Sequence, residues 1–164
     1  MGRRPERKAR TRGIWALAVV AAVAGLAVAW VAWQGSRATA PAGARLTVYQ
    51  NPRCGCCGAY VSYLRGAGYA VEVVKTEDME GVKRRYRVPQ QLWSCHTAVA
   101  GRYFVEGHVP VEAVQELLGR APDWLGLALP GMPSGSPGMS GPREGPLVVQ
   151  AITQEGLWRE FGRF

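Results

Sequence analysis

Leu46-Thr47-Val48-Tyr49-Gln50-Asn51-Pro52-Arg53-Cys54-Gly55-Cys56-Cys57 is the stretch whose reading decides the fold. Leu46 to Gln50 alternates as a half-buried strand does. Asn51-Pro52 breaks that pattern, and three cysteines follow within four residues. Beyond them Tyr60, Val61 and Leu64 share one face of a helix, which Gly66 and Gly68 end. A C-x-x-C pair between a first strand and a first helix is the arrangement of a thioredoxin-like redox or metal site.

Working outward, Ala70 to Lys75 reads as a second strand and Asp78 to Tyr86 as a helix capped by Asp78. Val88-Pro89 marks a turn. Thr97 to Ala100 and Tyr103 to Glu106 read as a hairpin around Gly101-Arg102, and Pro110 to Leu118 as a helix with proline in its first turn. Leu129 to Pro142 is a Gly/Pro/Met loop, and Leu147 to Ile152 reads as a late edge strand. Trp158 and Phe161, three apart, suggest an amphipathic end that packs on the domain. The order β, C-x-x-C, α, β, α, β, β, α predicts a thioredoxin-like α/β sandwich.

The chain has 164 residues and a net charge of +8. Residues 1–13 hold six basic residues against one acid, Glu6, so five of the eight positive charges lie in a short tail. The remainder is too weakly basic for a nucleic-acid platform. Residues 14–33 carry no charge, and about 30 Å of helix would cross a bilayer. Trp15, Trp30 and Trp33 stand at its ends, where interfacial aromatics belong. The basic flank predicts a cytoplasmic tail and an exported remainder. We therefore expect a basic tail at 1–13, a transmembrane helix or signal anchor at 14–33, a linker at 34–44 and a folded domain at 45–164. The alternative is a cleaved signal peptide and a soluble periplasmic domain. Pro41 directly after Ala38-Thr39-Ala40 disfavours cleavage there, and Ala42-Gly43-Ala44 is a weak second site.

All four cysteines fall in two segments, Cys54, Cys56 and Cys57 in one and Cys95 in the other, followed by His96. In the predicted fold the residue before the third strand faces the first-helix cysteines, so Cys95 and His96 are expected to meet the Cys54–Cys57 loop. A helix start favours thiolate, and Arg53 adds positive charge. Thiolates are soft ligands that select Cu(I), zinc or iron–sulfur. C-x-C-C is crowded for tetrahedral zinc, whereas Cu(I) accepts bridging thiolates. His96, His108, Met132 and Met139 are the other copper-compatible side chains, and the two methionines would suit a lid or transfer relay. Two competing readings use the same cysteines: a pair of structural disulfides, and thiol–disulfide exchange through Cys54 and Cys57. The run Lys83-Arg84-Arg85-Tyr86-Arg87 reads as a solvated helix face or a docking face.

Four motifs in order carry a resemblance: Cys54-Gly-Cys-Cys57, Ser94-Cys-His-Thr97, Val105-Glu-Gly-His-Val-Pro110 and Pro130-Gly-Met-Pro-Ser-Gly-Ser-Pro-Gly-Met139. Together they resemble the CopG-like family of small exported copper-handling proteins, over about residues 46–150. The resemblance implies a thioredoxin-like fold, an extracytoplasmic location and a role in copper resistance. It also implies a copper site on Cys54, Cys56, Cys57 and Cys95, which from the clustering of soft ligands we expect to hold Cu(I), as more than one ion. His96, His108, Met132 and Met139 would be supporting or secondary ligands. The family is discussed both as copper carriers and as redox proteins acting on copper. The expected partners are copper ions, the membrane through residues 14–33, and a copper pump, chaperone or oxidase.

Overall fold

A computed structural model describes residues 44–164. The predicted tail, membrane span and most of the linker lie outside the described residues. Among the described residues no helix is long and apolar enough to cross a membrane.

The first strand, β1 (Arg45–Gln50), runs into α1 (Cys57–Gly66) and returns as β2 (Ala70–Lys75). α2 (Met79–Arg85) follows, then a short 3-10 turn at Gln90–Leu92, then the hairpin β3 (His96–Ala100) and β4 (Tyr103–Glu106). α3 (Val111–Arg120) leads to β5 (Trp124–Ala128), β6 (Val148–Thr153) and β7 (Trp158–Arg163). The seven strands form one mixed sheet in the order β2-β1-β3-β4-β5-β6-β7. β1 and β2 are parallel because a helix crosses between them, while β3 and β4 are antiparallel because a tight turn joins them.

Local chemistry accounts for the helix ends. Asp78 caps α2 by accepting from the Gly81 amide at 2.8 Å, as expected of an N-cap carboxylate. Pro110 precedes the first residue of α3, where its missing N–H costs nothing.

The sheet is covered on both faces. Tyr60, Val61 and Leu64 of α1 and Ala113, Val114 and Leu117 of α3 pack on Leu46, Val48, Ala98, Val105 and Leu127. Val88 and Leu92 pack on the opposite face against Phe104, Ala128 and Ile152. Burial on both faces explains why every residue of β4 is buried, without the in–out alternation of a one-sided strand.

Three expectations need correction. The strand near Leu147 is not an edge: β6 pairs with both β5 and β7. The edge on that side of the sheet is β7, a charged strand, as exposed edges usually are. Of Trp158 and Phe161 only Phe161 packs on the domain core, edge-on to Trp124 with ring centroids 5.6 Å apart, whereas Trp158 is 43% exposed. Finally, the basic run is not one solvated face, because Lys83 is buried while Arg84 is exposed and pairs with Glu80 at 2.9 Å.

Candidate metal centre

Sheet register assembles the site. Gln50 at the end of β1 stands opposite His96 at the start of β3. Cys95, one residue earlier, therefore emerges beside the loop that follows β1. That loop is tightened by the Cys54 amide donating to the Asn51 carbonyl at 3.0 Å and the Arg53 amide donating to Asn51 Oδ1 at 2.9 Å. Thr97 stands opposite Glu106 on β4, so the chain leaving β4 reaches the same end and delivers His108. The turn between them needs glycine: Gly107 has φ +75°, and an added Cβ would fall 2.7 Å from both the Leu129 carbonyl and Ser94 Oγ.

The side chains converge closely. Cys54 Sγ lies 3.7 Å from Cys56 Sγ, which lies 3.9 Å from Cys95 Sγ. Cys57 is fully buried, and its sulfur is 4.0 Å from the Cys95 carbonyl. Cys95 Sγ is 3.2 Å from His96 Nδ1 and 3.2 Å from His108 Nε2. The four cysteine sulfurs form one group, and Cys95, His96 and His108 a second; within each, one ligand atom per residue lies within 4.8 Å of the others. Cys54 and Cys57 are joined by a disulfide, leaving Cys56 and Cys95 as free thiols.

Burial sets the protonation states. Desolvation, followed by the neighbouring Cys56, pushes the Cys95 thiol up to about 12. Desolvation, His108 and Lys83 hold His96 down to about 3, and burial also lowers His108. Both imidazoles are therefore neutral. His108 Nδ1 is 2.6 Å from the Pro137 carbonyl, which can only accept, so Nδ1 carries the proton. His108 Nε2 then presents its lone pair to Cys95. His96 Nε2 is buried without a hydrogen-bond partner among the described residues. Tyr60, also fully buried, packs its ring 4.5 Å from His96 and 5.1 Å from His108, and its hydroxyl donates to the Val109 carbonyl at 2.9 Å.

This donor set fits a soft ion. Two free thiols and two neutral imidazoles face one another, one buried ring nitrogen is unpaired, and reduction of one disulfide would make four sulfurs available. The supporting features differ from the sequence reading in two respects. Arg53 is exposed and sits 3.5 Å from the exposed carboxylate of Glu77, which offsets its charge near the loop. In the methionine loop the backbone makes the contact with the site, through Pro137. Met132 is 41% exposed with φ +47°, and Met139 is half-buried.

Lys83, Glu106 and Thr97 form a buried polar group beside the site that spacing did not reveal. Its one sequence signal is Glu106, an acid ending the apolar run Tyr103-Phe104-Val105.

These observations define a class: a small α/β protein with a cysteine–histidine centre at one end of its central strands. The comparisons narrow it. A family model described as "Protein of unknown function, DUF411" matches residues 92–139. A solved structure of "Copper resistance protein copG", form 2, is 38% identical with a TM-score of 0.70, the match covering 74% of this chain and 98% of that one. Form 1 is 37% identical with a TM-score of 0.69 and the same coverage. No curated protein sequence matches the chain. The chain belongs to the CopG-like family.

Proposed function

We propose that this protein is an extracytoplasmic copper-binding protein of copper resistance or homeostasis, holding Cu(I) on the thiolates of Cys54, Cys56, Cys57 and Cys95. The carrying observation is the gathering of all four sulfurs within 4.8 Å, with two neutral imidazoles against Cys95. Soft thiolates favour Cu(I) and tolerate bridging, so this spacing suits more than one ion. Copper is cargo in this reading, captured when the Cys54–Cys57 disulfide is reduced. His96 and His108 orient Cys95 or ligate beside it, and Met132 and Met139 offer thioethers for delivery. The names of the structural relatives support the assignment to copper. The strand order β2-β1-β3-β4, with its crossover helix after the cysteines, supports a thioredoxin-like core extended by β5 to β7. The uncharged span 14–33 supports a single-pass anchor with the domain on the extracytoplasmic side, where a copper pump, chaperone or oxidase would exchange metal with it. The test is Cu(I) competition on the Cys54→Ser/Cys95→Ser double variant: copper held as tightly as by the parent would end the proposal.

The Cys54–Cys57 disulfide at the start of α1 favours a second reading, an oxidoreductase acting on copper. Two thiolates would give one electron each to two Cu(II) ions, leaving a disulfide and two Cu(I). Turnover with an added thiol reductant separates this reading from simple carriage.

A further inference from the structure

Lys83 and Glu106 are both almost wholly buried and form an ion pair in the interior. Replacing such a pair by apolar side chains is often neutral or stabilising, so its presence calls for a reason beyond stability. The carboxylate supplies one. Glu106 Oε1 accepts from the Ser94 amide at 2.6 Å and from Lys83, while Oε2 accepts from the Thr97 hydroxyl at 2.6 Å. Lys83 also donates to Thr97 Oγ1 at 3.2 Å. Ser94 and Thr97 bracket Cys95 and His96. Ser94 follows an irregular stretch after the 3-10 turn, so no strand ladder fixes its amide. One carboxylate thus ties down both ends of the segment that carries the central thiol and one imidazole.

We infer that Lys83, Glu106 and Thr97 are positioning residues, which fix Cys95 and His96 against Cys56 and His108 from the far side of the segment. Lys83 orients the carboxylate and opposes the burial that raises Glu106, Glu106 spans the segment, and Thr97 relays between them. None of the three belongs to the cysteine and histidine groups that could hold an ion. The inference deepens the copper reading and rests on it for its consequence in binding, but the placement of Cys95 is a property of the metal-free protein and is tested there.

The experiment uses the full chain, reduced and metal-free, in detergent. The variants are Lys83→Met/Glu106→Gln, which removes both charges at similar volume, and Thr97→Val against Thr97→Ser, which separates loss of the hydroxyl from loss of shape. Alkylation rates of Cys95 and Cys56 are read separately by peptide mass spectrometry, alongside Cu(I) competition. The expected result is a several-fold faster Cys95 with Cys56 unchanged in the double variant and in Thr97→Val. Thr97→Ser should keep the parent's rate. Copper count should be unchanged and affinity lowered roughly 10- to 100-fold, as for residues that orient metal ligands. Equal rates for Cys95 in parent and variants, or equal acceleration of both cysteines, would overturn the inference. If the double variant does not fold, Thr97→Val against Thr97→Ser decides alone. A parent that binds no copper while Cys95 still responds selectively would sink the copper reading and leave the positioning role standing.

Discussion

His108 Nε2 and Cys95 Sγ lie 3.2 Å apart, and the other nitrogen of the same ring holds the Pro137 carbonyl at 2.6 Å. One imidazole therefore links the central thiol to the methionine loop. His108→Phe keeps the ring volume and removes both contacts. We expect faster amide hydrogen exchange across residues 130–142, with the exchange of β1 and β3 unchanged. Unaltered exchange in the loop would show that its placement does not depend on this ring.

The same loop closes on α1 through glycine. Gly138 has φ +78°, and an added Cβ would sit 2.6 Å from the Tyr60 amide nitrogen. Gly138→Ala should destabilise the protein by roughly 1–3 kcal/mol, the usual cost of a strained backbone position. Gly145→Ala, whose Cβ meets nothing within 4 Å, should stay within about 0.5 kcal/mol of the parent. Urea unfolding of the two variants side by side checks this, and equal losses would contradict it.

Much of this architecture is legible in the sequence. The alternation of Leu46 to Gln50, the glycines at the end of α1 and the Asp78 cap each mark a local event, and the elements follow from them. The convergence of Cys95 on the C-x-C-C loop also follows from strand order. β5 and β7 did not declare themselves. Trp124-Leu-Gly-Leu-Ala128 has no alternation because Leu127 and Ala128 are buried on opposite faces, and Trp158 to Arg163 is a charged strand at the edge. Lys83 was hidden for a different reason. A lysine within Lys83-Arg84-Arg85 looks solvated until Glu106, 23 residues further on, is placed across from it. Long-range pairing of this kind leaves no mark on local spacing.

The buried pair carries its own energetic prediction. Lys83→Met leaves Glu106 ionisable and unpaired in the interior, so it should cost about 3–5 kcal/mol. Adding Glu106→Gln removes the stranded charge and should recover most of that loss. A double variant no more stable than the single one, measured by urea unfolding, would show that the pair contributes through its shape rather than its charges.

Stability of the metal-free protein with its Cys54–Cys57 disulfide intact should fall at both ends of the pH range. Burial lowers His96 from 6.5 to about 3, so below about pH 6.5 the unfolded chain takes up a proton that the folded protein refuses. Stability then declines as pH falls toward 3, by up to about 1.4 kcal/mol per unit. Burial raises Cys95 from 9.0 to about 12, so above about pH 9 the unfolded thiol ionises first and stability declines as pH rises. His96→Gln should make the acid limb shallower, leaving the share of the buried His108, and Cys95→Ser should make the alkaline limb shallower, leaving the share of the buried Tyr60 and Tyr69. Denaturant midpoints across pH would contradict this if either variant left its own limb unchanged.

The central claim is that four cysteines act together on copper, and one titration addresses it most directly. The reduced full chain is titrated anaerobically with Cu(I) against a competing chelator, while bound copper and alkylatable thiols are counted in the same samples. The account predicts more than one tightly held copper per chain, with Cys54, Cys56, Cys57 and Cys95 all protected. No tight copper, with Cys54 and Cys57 cycling freely between dithiol and disulfide, would contradict it and move the protein to thiol–disulfide exchange.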